Sequence, residues 1–322
     1  MTTLTPSTAF LFPGQGSQTV GMGKELSDNY EVARRTFEEA DEALGYKLSQ
    51  ICFEGPEEKL KLTEITQPAI LTASVAAWRV LSEKDVKPNF SADFVAGHSL
   101  GEYSAHVAAG TLTFADAVRT VRNRGKYMQE AVPVGVGAMA AILGMTLDKV
   151  EEIAADAAQG EVCQAANINS PEQIVLSGHA GAVGRAITLA TERGAKKAVS
   201  LPVSAPFHCS LMQPAQDRLA ADLGALKFQN PSCPVVCNVD AAVVDSAEAA
   251  RDALIRQVTG AVKWEPSVRL LIDKGASLFI EVGPGKVLWG LMRQIDRSKT
   301  CLTVGDEASL QKTLAQVAAL AA

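Results

Sequence analysis

The chain has 322 residues, 47% of them hydrophobic, enough to bury one large core and a smaller one. Its 30 basic and 36 acidic residues give a formal net charge of -6, which argues against a general nucleic-acid surface. No apolar run reaches the roughly 18 residues a membrane helix needs, and residues 1–7 lack the basic region and apolar stretch of a signal peptide, so a cytoplasmic protein with no membrane or nucleic-acid partner is expected.

Residues 8–12 read as a short buried strand closed by Pro13-Gly14. The loop Gln15-Gly16-Ser17-Gln18 is glycine-rich, but it lacks the Lys-Ser/Thr of a P-loop and the spacing of a dinucleotide fingerprint. It reads as an oxyanion loop, the alternative being a plain turn. Helices are predicted over residues 23–43 and 64–81, with Pro68 in the first turn of the second, where a missing N–H costs little. Residues 90–96 read as a strand running into Gly97-His98-Ser99-Leu100-Gly101. This is the G-x-S-x-G pattern of a nucleophile elbow, which lifts a serine hydroxyl clear of a sheet. The helix behind it, residues 100–109, aims backbone N–H groups at any developing negative charge. The N–H groups of Gln15 and Leu100 together make two donors for an oxyanion. A long helix over residues 113–131 carries Arg124.

Residues 138–143, 162–168, 173–177 and 197–201 read as strands, and residues 146–158 and 180–193 as helices, with Thr146 as an N-cap. That β-α-β-β-α-β order is ferredoxin-like. Residues 135–203 are therefore expected to form a small domain inserted into a large one built from residues 1–134 and 204–322. The large domain continues with helices over residues 209–220, 247–257, 262–274, 286–295 and 308–321, and strands over residues 235–238 and 278–282. The expected fold class is α/β: an α/β-hydrolase-like parallel-sheet core domain with an inserted ferredoxin-like small domain.

A serine nucleophile needs a base, and only four histidines exist. His98 reads as a residue shaping the elbow, His106 as structural two turns along the helix, and His179 as solvated or capping. His208, in Ala205-Pro206-Phe207-His208-Cys209, lies where the chain returns to the large domain and is the favoured base. The usual hydrolase order of Ser, then acid, then His finds no convincing acid: Asp148, Glu152 and Glu192 fall on presumed solvated helix faces. A Ser99–His208 dyad follows, its imidazole oriented by another group such as a backbone carbonyl. The six cysteines, at 52, 163, 209, 233, 237 and 301, read as free thiols rather than disulfides or a zinc site, with Cys209 a pocket wall. On its own, Arg124 is more readily a solvated helical arginine than a ligand, although a guanidinium suits a bidentate hold on a carboxylate.

These residues together resemble the malonyl-CoA:acyl-carrier-protein transacylases of bacterial type II fatty acid synthesis. The resemblance runs over nearly the whole chain. It rests on residues 12–18, Gly97-His98-Ser99-Leu100-Gly101-Glu102-Tyr103, Arg124-Gly125-Lys126-Tyr127-Met128-Gln129, Asn167-Ile168-Asn169-Ser170-Pro171, Ala205-Pro206-Phe207-His208 and Gly283-Pro284-Gly285-Lys286-Val287-Leu288. It implies Ser99 as the acylated nucleophile, His208 as its partner, Gln15 and Leu100 as the oxyanion hole, and Arg124 as the ligand of the malonyl carboxylate. It further implies a main-chain carbonyl at Gln257 that orients the histidine, and Phe207 and Asn167 in the pocket, with Phe207 matching malonyl-selective members. The implied reaction is a ping-pong transfer from malonyl-CoA to holo acyl carrier protein. Coenzyme A thioester is then a substrate, with no retained cofactor and no metal. A serine esterase or thioesterase, and an idle carrier-protein-binding module, are the competing readings. Arg193, Lys196, Lys197, Lys286, Arg293 and Arg297 are candidate steering groups for an acidic carrier protein.

Overall fold

A five-residue strand buried along its whole length, β1 (Thr8–Phe12), lies inside the larger of two sheets. Phe10 and Phe12 enter one apolar core, and Ala9 and Leu11 enter another on the opposite face. Parallel strands covered by helices on both faces read as continuous apolar runs for this reason. The computed structural model describes residues 7–83, 92–203 and 205–321.

After β1 come α1 (Lys24–Asn29), α2 (Glu31–Leu44), α3 (Leu48–Glu54), α4 (Glu57–Leu60) and α5 (Thr63–Ser82). Next are β2 (Phe94–Gly97), α6 (Gly101–Ala108) and α7 (Phe114–Glu130), the last capped by the Thr113 side chain. The middle of the chain forms β3 (Gly137–Leu143), α8 (Leu147–Ala158), β4 (Cys163–Ser170), β5 (Gln173–His179), α9 (Ala180–Glu192) and β6 (Lys197–Ser200). The remainder is α10 (Gln213–Gly224), β7 (Val235–Cys237), β8 (Ala242–Val244), α11 (Ala247–Arg256), α12 (Trp264–Asp273), β9 (Leu278–Val282), α13 (Val287–Ile295), β10 (Thr300–Val304) and α14 (Glu307–Ala321).

The larger sheet has the order β10-β9-β1-β2-β7-β8, parallel throughout except for the β7–β8 edge. The smaller sheet, β4-β5-β3-β6, is antiparallel and has its own core around Ile142, Val150, Ile153, Ile174 and Leu176. The two are joined by Ile168 N–H to the Val262 carbonyl at 2.9 Å and by Val262 N–H to the Ala166 carbonyl at 2.8 Å.

Several expected elements are adjusted by tertiary contacts. The helix expected over residues 23–43 is two helices, broken at Tyr30 in extended conformation (φ -125°, ψ 121°), whose hydroxyl donates to Glu307 Oε1 of α14 at 3.1 Å. Pro68 is the sixth residue of α5, beyond its first turn, so the Glu64 carbonyl has no helical N–H to accept. Thr146 occupies the N-cap of α8 without a side-chain capping bond. Residues 210–212 form a 3₁₀ turn ahead of α10. The edge strands β8 and β10 have no counterpart in the sequence reading, because each is short and defined by the strand it pairs with. Residues 1–6, Phe90 and Ser91 of the expected strand, and Ser204 lie outside the described residues.

Candidate active site

The turn from β2 into α6 positions Ser99, the candidate nucleophile. A Cβ on Gly97 would lie 2.0 Å from the Gly101 carbonyl, and one on Gly101 would lie 2.1 Å from the Phe12 carbonyl oxygen, so only glycine fits at either position. Between them Ser99 is held at φ 52°, a left-handed conformation unusual for a side-chain-bearing residue. Such a conformation persists only when its surroundings over-determine it. Here the Ser99 N–H donates to Asn238 Oδ1 at 2.7 Å, and the Ser99 carbonyl accepts from Gln257 Nε2 at 2.9 Å. Asn238 Nδ2 in turn donates to the Gly97 carbonyl at 2.7 Å.

Ser99 Oγ lies 2.7 Å from His208 Nε2. The other ring nitrogen, Nδ1, is 2.9 Å from the Gln257 main-chain carbonyl, which only accepts. Nδ1 therefore carries the proton, and the Nε2 lone pair faces the serine hydroxyl. Burial, reinforced by the nearby Arg124 charge, pushes the imidazole down to about 3, so the resting histidine is neutral and able to accept.

Arg124 comes from the buried face of α7 and is 1% exposed. Its Nη1 donates to Gln67 Oε1 at 2.8 Å, and its Nη2 to Gln257 Oε1 at 2.9 Å and to Ser99 Oγ at 3.1 Å. The Tyr103 ring lies 5.7 Å from the guanidinium carbon, and Nε has no partner. Burial pulls the guanidinium below its ordinary range, with the Tyr103 and Glu102 side chains opposing that shift. The result is a buried guanidinium with a spare donor beside the Ser99 hydroxyl, an arrangement whose chemistry suits a carboxylate.

Ser99, His208 and Arg124 line a cleft of about 470 Å³ together with Gln15, Phe207, Asn167, Gln67, Met128 and Met139. Two other depressions have similar volumes of about 500 and 510 Å³ but contain no nucleophile–base pair, so chemistry rather than size identifies the site. Leu100 stands at the N-cap of α6. Neither its N–H nor that of Gln15 has a backbone or side-chain acceptor among the described residues.

The other histidines sort as follows. His98 Nε2 is 2.8 Å from Asn169 Oδ1 and its ring is 5.6 Å from Trp264, so it ties the elbow to the smaller sheet. His106 is fully buried, and neither ring nitrogen has a hydrogen-bond partner among the described residues, although Nε2 lies 4.0 Å from Glu102 Oε1. His179 stands at the N-cap of α9 without a side-chain capping bond; its Nδ1 instead accepts the Val162 N–H at 2.9 Å. Cys209 is completely buried beside the Pro206 carbonyl and does not line the cleft, contrary to the expected pocket wall. The six cysteines are free thiols. Arg193 and Lys196 are engaged with Asp156 and Glu172, whereas Lys286, Arg293 and Arg297 make no ion pair among the described residues and line the depression of about 510 Å³.

Gln67, Glu102, Asn238, and the side chain of Gln257 were not singled out by sequence reasoning, although all four are buried in the network around Ser99. No local pattern marks them: Gln67 follows Glu64 and Thr66, and Glu102 is close to Ser104 and His106, a mixture that an ordinary half-exposed helix also carries.

An acyl transferase domain family matches residues 9–317. The chain is 48% identical over 308 residues to the malonyl CoA-acyl carrier protein transacylase of Salmonella typhimurium, covering 96% of this chain and 99% of that protein. The structure of the corresponding transacylase from Coxiella burnetii superposes with a TM-score of 0.94 at 44% identity, covering 97% and 98% of the two chains. A malonyl-transacylase solved in complex with its type II PKS acyl-carrier protein superposes with a TM-score of 0.93 at 45% identity, covering 96% and 99%. Among the described residues no helix is long and apolar enough to cross a membrane.

Proposed function

This chain belongs to the acyl transferase domain family, and we infer that it transfers the malonyl group from malonyl-CoA to the phosphopantetheine thiol of acyl carrier protein. The observation that carries this reading is the placement of Ser99 Oγ between a neutral histidine, 2.7 Å away, and a buried guanidinium, 3.1 Å away. The malonyl thioester offers both an electrophilic carbonyl and a carboxylate, which these two neighbours complement.

In the proposed cycle His208 accepts the Ser99 proton at Nε2 as Oγ attacks the thioester carbonyl. The Gln257 carbonyl holds the imidazole in place and stabilises the imidazolium that forms. The Gln15 and Leu100 N–H groups receive the oxyanion. Its collapse breaks the C–S bond, and His208 returns the proton to the departing thiolate. The carrier-protein thiol then gives its proton to His208 and attacks malonyl-Ser99; collapse of the second oxyanion breaks the ester C–O bond, His208 returns the proton to Ser99 Oγ, and the malonyl carrier protein leaves. Arg124 holds the malonyl carboxylate through both halves, while Phe207 and Asn167 bound the acyl pocket. Every proton and charge in this cycle is handled by the chain's own groups, so coenzyme A is a substrate and no retained cofactor or metal enters the reaction.

The finer architecture belongs to the same proposal: an α/β-hydrolase-like domain of residues 1–134 and 204–322, and an inserted ferredoxin-like domain of residues 135–203, supported by the sheet orders above. Lys286, Arg293 and Arg297 are proposed to steer the acidic carrier protein. A cytoplasmic setting is proposed with them, supported by the thiol state of the six cysteines.

The test is intact-protein mass spectrometry after brief mixing with malonyl-CoA, followed by holo acyl carrier protein. One malonyl adduct is expected, absent from Ser99→Ala and discharged onto the carrier protein. Turnover to free malonate without an acceptor would reassign the protein as a hydrolase.

A further inference from the structure

Glu102 has no part in the cycle above, yet it is the first-turn residue of the helix behind the nucleophile and is fully buried. Its Oε2 accepts from two directions, from the Asn238 backbone N–H at 2.9 Å and from Gln257 Nε2 at 2.7 Å. We propose that Glu102 is a positioning residue for malonyl transfer: it fixes the orientation of the Gln257 amide that aims Arg124, and it anchors the asparagine that holds the Ser99 turn.

The argument is one of donors and acceptors. A carboxylate only accepts, and a guanidinium only donates. Gln257 lies between them, and its amide has one end of each kind. With Nε2 facing Glu102, Oε1 must face Arg124, as observed at 2.9 Å. The result is a relay of guanidinium, amide and carboxylate. It supplies a counter-charge for the buried Arg124 without a direct ion pair, which leaves the guanidinium able to take a second carboxylate from the substrate. On its other side Glu102 fixes Asn238, whose Oδ1 accepts the Ser99 N–H and whose Nδ2 reaches the Gly97 carbonyl. One carboxylate thus braces the nucleophile turn and the substrate-binding cation together.

A proton taken up at Oε1, the Glu102 oxygen with no hydrogen-bond partner among the described residues, leaves Oε2 accepting from Gln257 and Asn238 but removes the counter-charge at the end of the relay, so the buried Arg124 loses its compensation. Burial raises the Glu102 carboxyl to about 7, whereas His208 is held near 3, so a falling pH loads Glu102 first. The charged and titratable groups around it are Arg124 from α7, Cys237 on β7, Asp240 after β7, and Tyr103 and His106 on its own helix, with His106 Nε2 4.0 Å from Glu102 Oε1.

The inference rests on the roles given to Ser99, His208 and Arg124. Its test uses the full chain with Glu102→Gln, with Gln257→Leu, which keeps the main-chain carbonyl facing His208, and with the double variant. Acylation by malonyl-CoA and by acetyl-CoA is followed between about pH 5 and 9, with circular dichroism and urea midpoints to establish folding. Wild type is expected to show an acid limb near pH 7; in Glu102→Gln, malonyl kcat/KM is expected to fall about tenfold or more, the preference for malonyl over acetyl to narrow, and that limb to flatten. The double variant is expected to be no worse than the more impaired single one, because both break the same relay. A folded Glu102→Gln within twofold of wild type in rate, selectivity and pH profile overturns the proposal, as do multiplicative losses in the double variant. Should Glu102→Gln not fold, the wild-type profile decides: no loss of malonyl acylation as pH falls through about 7 overturns it. A wild type that forms no malonyl-Ser99 sinks the site assignment instead.

Discussion

The parallel sheet brings Gln15, Ser99 and Asn238 to one edge, after β1, β2 and β7, whereas the antiparallel sheet brings an amide and an apolar side chain to the cleft, Asn167 and Met139, with Asn169 behind them on His98. Neighbouring parallel strands end on the same side, so the loops that follow them converge although their residues are far apart in sequence. Antiparallel neighbours end on opposite sides, and their hairpins satisfy each other locally around a private core. The first arrangement assembles a reactive constellation; the second supplies a wall that braces it. Charge follows the same division, since the cations lining the cleft among the described residues, Arg124 and Lys61, come from the helical layer around α5 and α7 rather than from the smaller sheet.

The sharpest test of that division is Ser99→Ala. Transfer is expected to fall by about 10⁴-fold or more, read as steady-state malonyl transfer to holo carrier protein. Next is Arg124→Ala, expected to lower malonyl kcat/KM by about 10²–10³-fold while acetyl transfer falls much less, because truncating one partner of a buried charge pair costs roughly 2–5 kcal/mol. Equal losses on both thioesters would show that Arg124 acts on the protein rather than on the substrate. Asn169→Leu probes the other region. It leaves His98 Nε2 without its 2.8 Å partner and is expected to lower stability by about 1–3 kcal/mol in urea titrations, with acylation by malonyl-CoA changed less than by either substitution above. A loss as large as that of Arg124→Ala would make the smaller sheet part of the reactive machinery.

The smallest expected effect concerns pH. Burial lowers His106 from its ordinary 6.5 to about 3, so the unfolded chain takes up a proton in that window and the folded one resists it. The corresponding stability is present above about 6.5 and is lost as pH falls toward 3. Glu102 and Glu281, raised by burial to about 7, act with the opposite sign between about 4.5 and 7, where the folded state holds more protons. Below about 4.5 that opposition ends. His106→Phe is therefore expected to lose less stability than wild type on acidification, measured by urea midpoints at a series of pH values. An unchanged slope would remove His106 from the account.

Much of the fold was legible because apolar runs and turn residues are local signals. Gly97 and Gly101 announce the elbow since no Cβ fits there, and the alternating pattern from Gly137 to Ser200 gives the order of the smaller sheet's elements. The break at Tyr30 was not legible, because a contact to Glu307 accompanies it across 277 residues. The same holds at the site. Four histidines and one elbow were enough to pair Ser99 with His208 by elimination, and the structure puts them 2.7 Å apart.

By itself the sequence determined which residue types are present at each turn and helix start, and hence the candidate nucleophile and base, Ser99 and His208, and the chain's membership of a family. Only the tertiary structure decided the protonated nitrogen of His208, the orientation of the Gln257 amide, and the burial of Arg124 beside Ser99. Those depend on which donor meets which acceptor once water is excluded, and that pairing is set by residues brought together from β2, α5, α6, α7, the end of β7 and the end of α11.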